Sequence, residues 1–221
     1  EKTITAYRLL SDYVKQEDKR KRIYVVHRID KETSGVLVFV KSDKLRHLLT
    51  DGDNWNNLVK KREYIALCEG AMEKKSDILI NNLLESNTNL VYVVHGKDGH
   101  KAITKYKVIK ENEKYSLLDV EIETGRKNQI RVQLKHIHHP IVGDEKYLSS
   151  SDPIHRLGLH AYKLVITNPL DNKTMTFVAK EPKEFERVFA KDFIEPQKRK
   201  SFKNDRMASV EKNKKSSIIN K

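Results

Sequence analysis

Cysteine is almost absent: Cys68 is the only one in 221 residues. One thiol excludes an internal disulfide framework and any zinc site built from several cysteines, and it suits a reducing cytoplasm, with Cys68 read as a small buried hydrophobe. Long apolar runs are missing too, since nothing approaches the roughly 20 residues of a membrane helix. The first residues lack the basic, apolar, small-residue order of a signal peptide. A soluble, cytoplasmic chain with no membrane partner is therefore expected. No methionine opens the sequence, which starts at Glu1 and is already patterned within ten residues, so an upstream segment is expected to have been removed. No internal repeat is visible.

Acidic residues are also in short supply: 31 Asp and Glu face 44 Lys and Arg, a formal net charge of +13. Such an excess favours an anionic partner. More than half of it lies from Pro196 to Lys221, where nine Lys and Arg meet two Asp and Glu. That stretch, residues 196–221, reads as a disordered basic tail and a non-specific tether. Residues 1–195, with 38% hydrophobic and 34% charged residues over the whole chain, suit one domain with a real core.

Thr3, followed by Ile4, Tyr7, Leu10 and Val14, predicts an N-capped amphipathic helix. Ile23–Val26 and Gly35–Val40 predict two strands, and the polar residues between them are too few for a helical crossover, so a hairpin with a shaped loop is expected. Ser42 caps a predicted helix through Leu45, Leu48 and Leu49; Asp53 starts another turn or two. Strands are then expected at Arg62–Cys68, Ile78–Leu84, Leu90–Val94, Ala102–Ile109 and Tyr115–Ile122, an antiparallel meander. Gln129–His138 reads as a helix closed by Pro140. Leu159–Thr167 and Thr174–Ala179 form a hairpin around Asn168-Pro169, and Pro182 opens a last helix with Phe185, Val188 and Phe189.

Asp30 stands in HRIDKETSG, residues 27–35, after a strand and before a Thr-Ser-Gly turn, where a sheet can present a carboxylate at a loop mouth. Arg28 lies on the same face of the extended chain. Taken alone, Asp30 is more simply a turn cap and Arg28 a solvated charge. The nine-residue string, however, resembles the signature of the RluA-type pseudouridine synthases. Three further segments resemble that family in the same order: KREYIALCEG (61–70), TGRKNQIRVQLKHIHHPIVGDEKY (124–147) and RLGLHAYKL (156–164). The likeness covers about Thr3 to Phe189. Asn128 departs from a common His, Gly158 from a common Ala, and Tyr147 lacks the usual following Gly. The family's first motif, a strand with a Lys-Pro pair ahead of the Thr3 helix, is not present.

The resemblance implies an α+β fold: a curved, mainly antiparallel mixed sheet with flanking helices and a central active-site cleft. It also implies isomerisation of uridine to pseudouridine in ribosomal or transfer RNA, with Asp30 as the catalytic aspartate, Arg131 paired with it, and Tyr64 stacked on the base as a candidate proton acceptor. Arg28 would enter the RNA stack. His27, Thr33 and Arg126 fall in the same motifs as substrate-side residues. Ile130 is a candidate apolar wall for the uracil, although an isoleucine there is more simply core. The reaction breaks N1–C1′ and joins C1′ to C5. It needs a carboxylate with a neighbouring cation, an acceptor for the C5 proton and a base out of its stack, but no metal or organic cofactor.

Two other enzyme readings fail on spacing. A kinase catalytic loop has Asp directly after Arg and an Asn a few residues on. A metal hydrolase would not space its histidines as His136, His138 and His139. The serious alternative is a non-catalytic basic RNA-binding protein of ribosomal or assembly-factor type, which predicts no dependence on Asp30. A monomer without an obligate protein partner is expected.

Overall fold

The computed structural model describes residues 4–194 and 196. Thr3 and, apart from Pro196, the basic tail lie outside the described residues. Helix α1 (Ala6–Glu17) is capped by Thr5, whose Oγ1 accepts from the Arg8 amide at 3.1 Å. Two residues nearer the apolar stripe than Thr3, Thr5 has the extended backbone that a capping side chain needs.

Strand β1 (Tyr24–Val25) pairs antiparallel with β3 (Phe39–Val40), as the hairpin reading requires. The predicted second strand, however, is split. Its start joins Ser34 in β2 (Ser34–Gly35), which leaves the hairpin and pairs parallel with β9 (Leu159–Thr167) of the main sheet. Helix α2 (Asp43–Thr50) is capped by Ser42 Oγ, and α3 (Asn54–Leu58) follows Asp53 as one short turn.

The meander is β4 (Val59–Glu69), β5 (Ser76–Glu85), β6 (Val91–Val94), β7 (His100–Glu111) and β8 (Tyr115–Ile122). Helix α4 (Gln129–His136) comes next and stops two residues short of expectation, His138 adopting a left-handed conformation (φ 67°) before Pro140. β10 (Thr174–Val178) and α5 (Lys183–Arg187) are the last elements among the described residues, with Pro182 just outside the helix. The sheet runs β10-β9-β4-β8-β7-β5-β6, every pair on that path antiparallel, and β2 adds the parallel contact to β9. This is the α+β mixed sheet expected.

From Ile65 to Cys68, β4 is buried on both faces because its residues feed two cores in alternation. Ala66 and Cys68 pack with Leu118, Val120, Ile130 and Leu134 under α4; Ile65 and Leu67 pack with Leu117, Phe185 and Val188 under α5. Three polar residues of α4, Gln129, Arg131 and Gln133, are buried as well, each with partners. Gln133 Oε1 accepts from Thr104 Oγ1 at 2.7 Å, and Gln129 Nε2 donates to the Ile103 carbonyl at 3.0 Å. These bonds lock α4 onto β7 and fix Arg131 between them. Among the described residues no helix is long and apolar enough to cross a membrane.

Candidate active site

A cleft of about 440 Å³ separates the loop after β1 from the α4 face of the sheet. It is lined by His27, Arg28, Asp30 and Thr33 from the loop, Trp55 from α3, Arg62 and Tyr64 from β4, residues 122–130, and Leu159 and Ala161 from β9.

The Asp30 loop is tied down at its far end. The Thr33 amide donates to the Asp30 carbonyl at 3.0 Å, and the Val36 amide to Ala161 O at 2.8 Å. Gly35 has φ 111°, and a Cβ there would lie 2.1 Å from Ala161 O, so only glycine lets the two backbones approach. Ser34 Oγ lies 2.8 Å from His160 Nδ1, and His160 Nε2 lies 3.1 Å from the Ala179 carbonyl. The carbonyl can only accept, so Nε2–H donates to it and Nδ1 of the neutral ring accepts a hydrogen bond from the Ser34 hydroxyl. Arg156 donates to the same hydroxyl. Thr33 Oγ1 is buried in the cleft wall with no hydrogen-bond partner among the described residues.

Arg131, with 4% of its side chain exposed, stands behind this loop. Nη1 lies 3.7 Å from Asp30 Oδ2 and 3.3 Å from Glu32 Oε2. Its shortest bonds go to fully buried Asp144: Nε to Oδ2 at 2.8 Å and Nη2 to Oδ1 at 2.7 Å. Burial works against this charge, but the Asp144 hydrogen bonds, then the charges of Asp144, Asp30 and Glu32, overcome it and raise the guanidinium above its ordinary range. Asp144 holds the fork in place, leaving Nη1 turned to Asp30.

Tyr64 is partly buried beside the first core. Burial pushes its phenol up, the Arg62 charge opposes this, and the Asp30 charge adds to it. The phenol is therefore protonated at neutral pH. At this point β9 carries an irregularity, Tyr64 opposing Ala161 where Glu63 opposes Lys163, and such a bulge re-aims neighbouring side chains.

A family model described as RNA pseudouridylate synthase matches residues 3–136. The chain belongs to the RNA pseudouridylate synthase family. An uncharacterized RNA pseudouridine synthase of Helicobacter pylori is 40% identical over 162 residues, covering 73% of this chain and 64% of that one. One of Mycoplasma genitalium is 37% identical over 166 residues, covering 73% and 53%. The chain thus spans less than two thirds of the length of these relatives. Among solved structures, human RNA pseudouridylate synthase domain containing 4 has a TM-score of 0.67 at 21% identity, covering 82% of this chain and 81% of that one, a likeness of fold.

In this family member, each residue singled out from the motifs lies at the cleft, with Arg131 one layer behind it. His27 stacks on Trp55 (centroids 4.9 Å apart, planes at 15°), and its Nε2 accepts from the Val38 amide at 2.8 Å. Burial, then the Arg62 charge, lowers its pKa to about 4, so it is a neutral ring that packs the loop. Arg28 is exposed on the cleft lining. Arg126 donates from Nε to the Lys101 carbonyl at 3.2 Å. Ile130 is both core and wall, 4% exposed and lining the cleft.

Sequence reasoning did not single out Asp144, Glu32, Trp55 or Arg62. Asp144 lies within the 124–147 segment, but its pairing with Arg131 depends on the backbone after α4 returning to β4, where the Val142 amide donates to Leu67 O at 3.0 Å. Arg62 carried a usable signal, being two residues before Tyr64 and hence on its side of the strand. Of the clustered histidines, His139 Nδ1 lies 2.9 Å from Glu69 O while His136 and His138 are exposed, and among the described residues no three His, Cys, Asp or Glu side chains are grouped to hold a metal.

Proposed function

We propose that this chain isomerises uridine to pseudouridine in ribosomal or transfer RNA, with Asp30 as its catalytic residue. The observation that carries the reading is the Asp30–Arg131 juxtaposition at 3.7 Å, on a cleft whose other wall holds Tyr64 and Ile130. An acid set beside a guanidinium whose remaining bonds go to other carboxylates is arranged for chemistry at a sugar carbon, and the aromatic ring and apolar side chain suit the flat faces of an extruded base.

Arg28, exposed and without a carboxylate partner among the described residues, is suited to fill the gap that the uridine leaves. Tyr64 stacks on the uracil, and Ile130 backs it. Asp30 acts at C1′, either by attack or by assisting elimination, and N1–C1′ breaks; the base turns so that C5 joins C1′, and the C5 proton is lost. Tyr64 is protonated in the free protein, so it can accept that proton only after passing its own on.

The test is pseudouridine content, measured by mass spectrometry in digests of ribosomal and transfer RNA from the source organism lacking this enzyme. RNA is incubated with the chain and, separately, with its Asp30→Asn form. Asp30→Asn should lower turnover by roughly 10³-fold or more while RNA binding persists. Equal binding with no turnover from any form would instead favour the basic RNA-binding reading.

A further inference from the structure

The cations lining the cleft divide according to whether a carboxylate already holds them. Lys163 Nζ lies 3.1 Å from Glu63 Oε2, and Lys127 is paired with Glu85. Arg28, Arg62 and Arg126 also line the cleft, and none of them has a carboxylate in ion-pairing range among the described residues. Arg28 and Arg126 are exposed, whereas Arg62 is half-buried. Its one hydrogen bond among the described residues runs from Nη2 to the Glu123 carbonyl at 2.5 Å, leaving Nε and Nη1 to be satisfied by something else. Desolvating a guanidinium without a counterion is costly, and burial does push this one below its ordinary range.

The wall beside it is shaped to admit the guanidinium. A Cβ on Gly125 would lie 2.6 Å from Arg62 Nη1, so the glycine leaves the group its position. Arg62 also stands in a defined relation to the acid. It shares a side of β4 with Tyr64, two residues or about 7 Å along the strand. Tyr64 pairs with Ala161, the residue on which Gly35 and the end of the Asp30 loop dock. An open, planar donor one step along the strand from the proposed sugar-binding position matches a group fixed at short reach from the ribose.

We infer that Arg62 binds a backbone phosphate flanking the uridine taken into the cleft, so setting the position of the sugar against Asp30. The inference rests on the RNA-modifying reading. Its ligand is a phosphodiester: the planar fork suits two phosphate oxygens, and phosphate is the counterion that the site lacks. The competing role is structural, with Arg62 only bracing the 123–125 segment through the Glu123 carbonyl.

Salt dependence separates the two, because each phosphate neutralised by a cation adds to the slope of log affinity against log salt and a bracing bond does not. The affinity of the chain for a labelled oligouridylate is measured over a series of potassium chloride concentrations. Arg62→Gln should weaken binding and make the slope shallower by about 0.7, the single-strand value for one phosphate. Arg62→Lys should retain the slope. Lys74→Gln, which removes an exposed cation already paired with Asp77, should leave it unchanged. Arg62→Met, keeping the apolar stem, is measured alongside in case the glutamine variant does not fold. A wild-type slope in folded Arg62→Gln or Arg62→Met overturns the inference, whatever the affinity. Because binding is read without turnover, a shallower slope in a chain that makes no pseudouridine would keep the phosphate site and sink the enzyme reading; turnover with an unchanged slope would do the reverse.

Discussion

Thr33 and His27 face the same cleft for opposite reasons, and their substitution should separate function from stability. Thr33 Oγ1 is buried without a partner among the described residues, so the free protein bears an unsatisfied hydroxyl. Removing such a group from an apolar wall is neutral or stabilising. Thr33→Val should therefore leave the unfolding free energy in urea unchanged or raise it by up to about 1 kcal/mol, while weakening use of RNA several-fold if the hydroxyl is completed by substrate. A variant with wild-type KM and kcat would show that the hydroxyl takes no part in binding. His27 concerns the fold. The unfolded ring takes its proton near its ordinary value of about 6.5, whereas the folded ring waits until about pH 4. Between those values the unfolded chain holds more protons, so stability is complete above pH 6.5 and falls as pH drops to about 4, by up to about 3 kcal/mol. His27→Gln can still accept from the Val38 amide and does not titrate. Its stability, measured by urea unfolding across this range, should lack that component of the wild-type fall; parallel curves would refute the buried neutral ring.

At the level of elements, the site depends on one short parallel pairing. β2 is two residues long, yet it ties the Asp30 loop to β9 through Gly35 against Ala161 and through Ser34 against His160, 126 positions apart in sequence. Gly35→Ala would drive a Cβ into the Ala161 carbonyl at a φ that alanine resists. It should cost at least about 2 kcal/mol and release the loop, so turnover should fall further than global stability accounts for. Wild-type turnover in that variant would mean that the loop holds Asp30 without β2. The same pairing shows which features were legible from sequence. The bounds of β8 and β9 coincide with the predicted ones because β-branched and aromatic runs there end at clear turn residues. Gly35–Val40 reads as one strand because its apolar pattern is continuous, whereas its pairing is divided between β9 and β1. Local pattern reports which residues can extend but not which distant backbone they meet. The Arg131–Asp144 fork was hidden for the same reason, whereas Arg62 could have been found from its spacing to Tyr64. The motif residues around Asp30 were found only because their order matched a known family; composition and periodicity would have left Asp30 a turn cap.

Across the whole molecule, charge is arranged on two scales, and they should be separable. Within the cleft, arginines without carboxylate partners among the described residues line the wall, so losing one should alter how a uridine is seated. The nine Lys and Arg that follow Pro196 lie outside the described residues, in a stretch whose sequence carries no apolar pattern. A cationic segment of this kind raises affinity for any RNA without choosing among uridines. Removing residues 196–221 should therefore weaken binding to specific and non-specific RNA alike, and should make the salt slope shallower by about 0.7 to 0.9 for each phosphate that the tail had neutralised. Turnover at saturating RNA should persist, because Asp30, Tyr64 and Arg131 are all held by the sheet and α4. The measurement is the ratio of affinities for a modified target RNA and an unrelated one, before and after truncation. A preserved ratio with lower affinity for both supports the tether; unchanged affinity defeats it, and a collapsed ratio would mean that the tail reads the target itself.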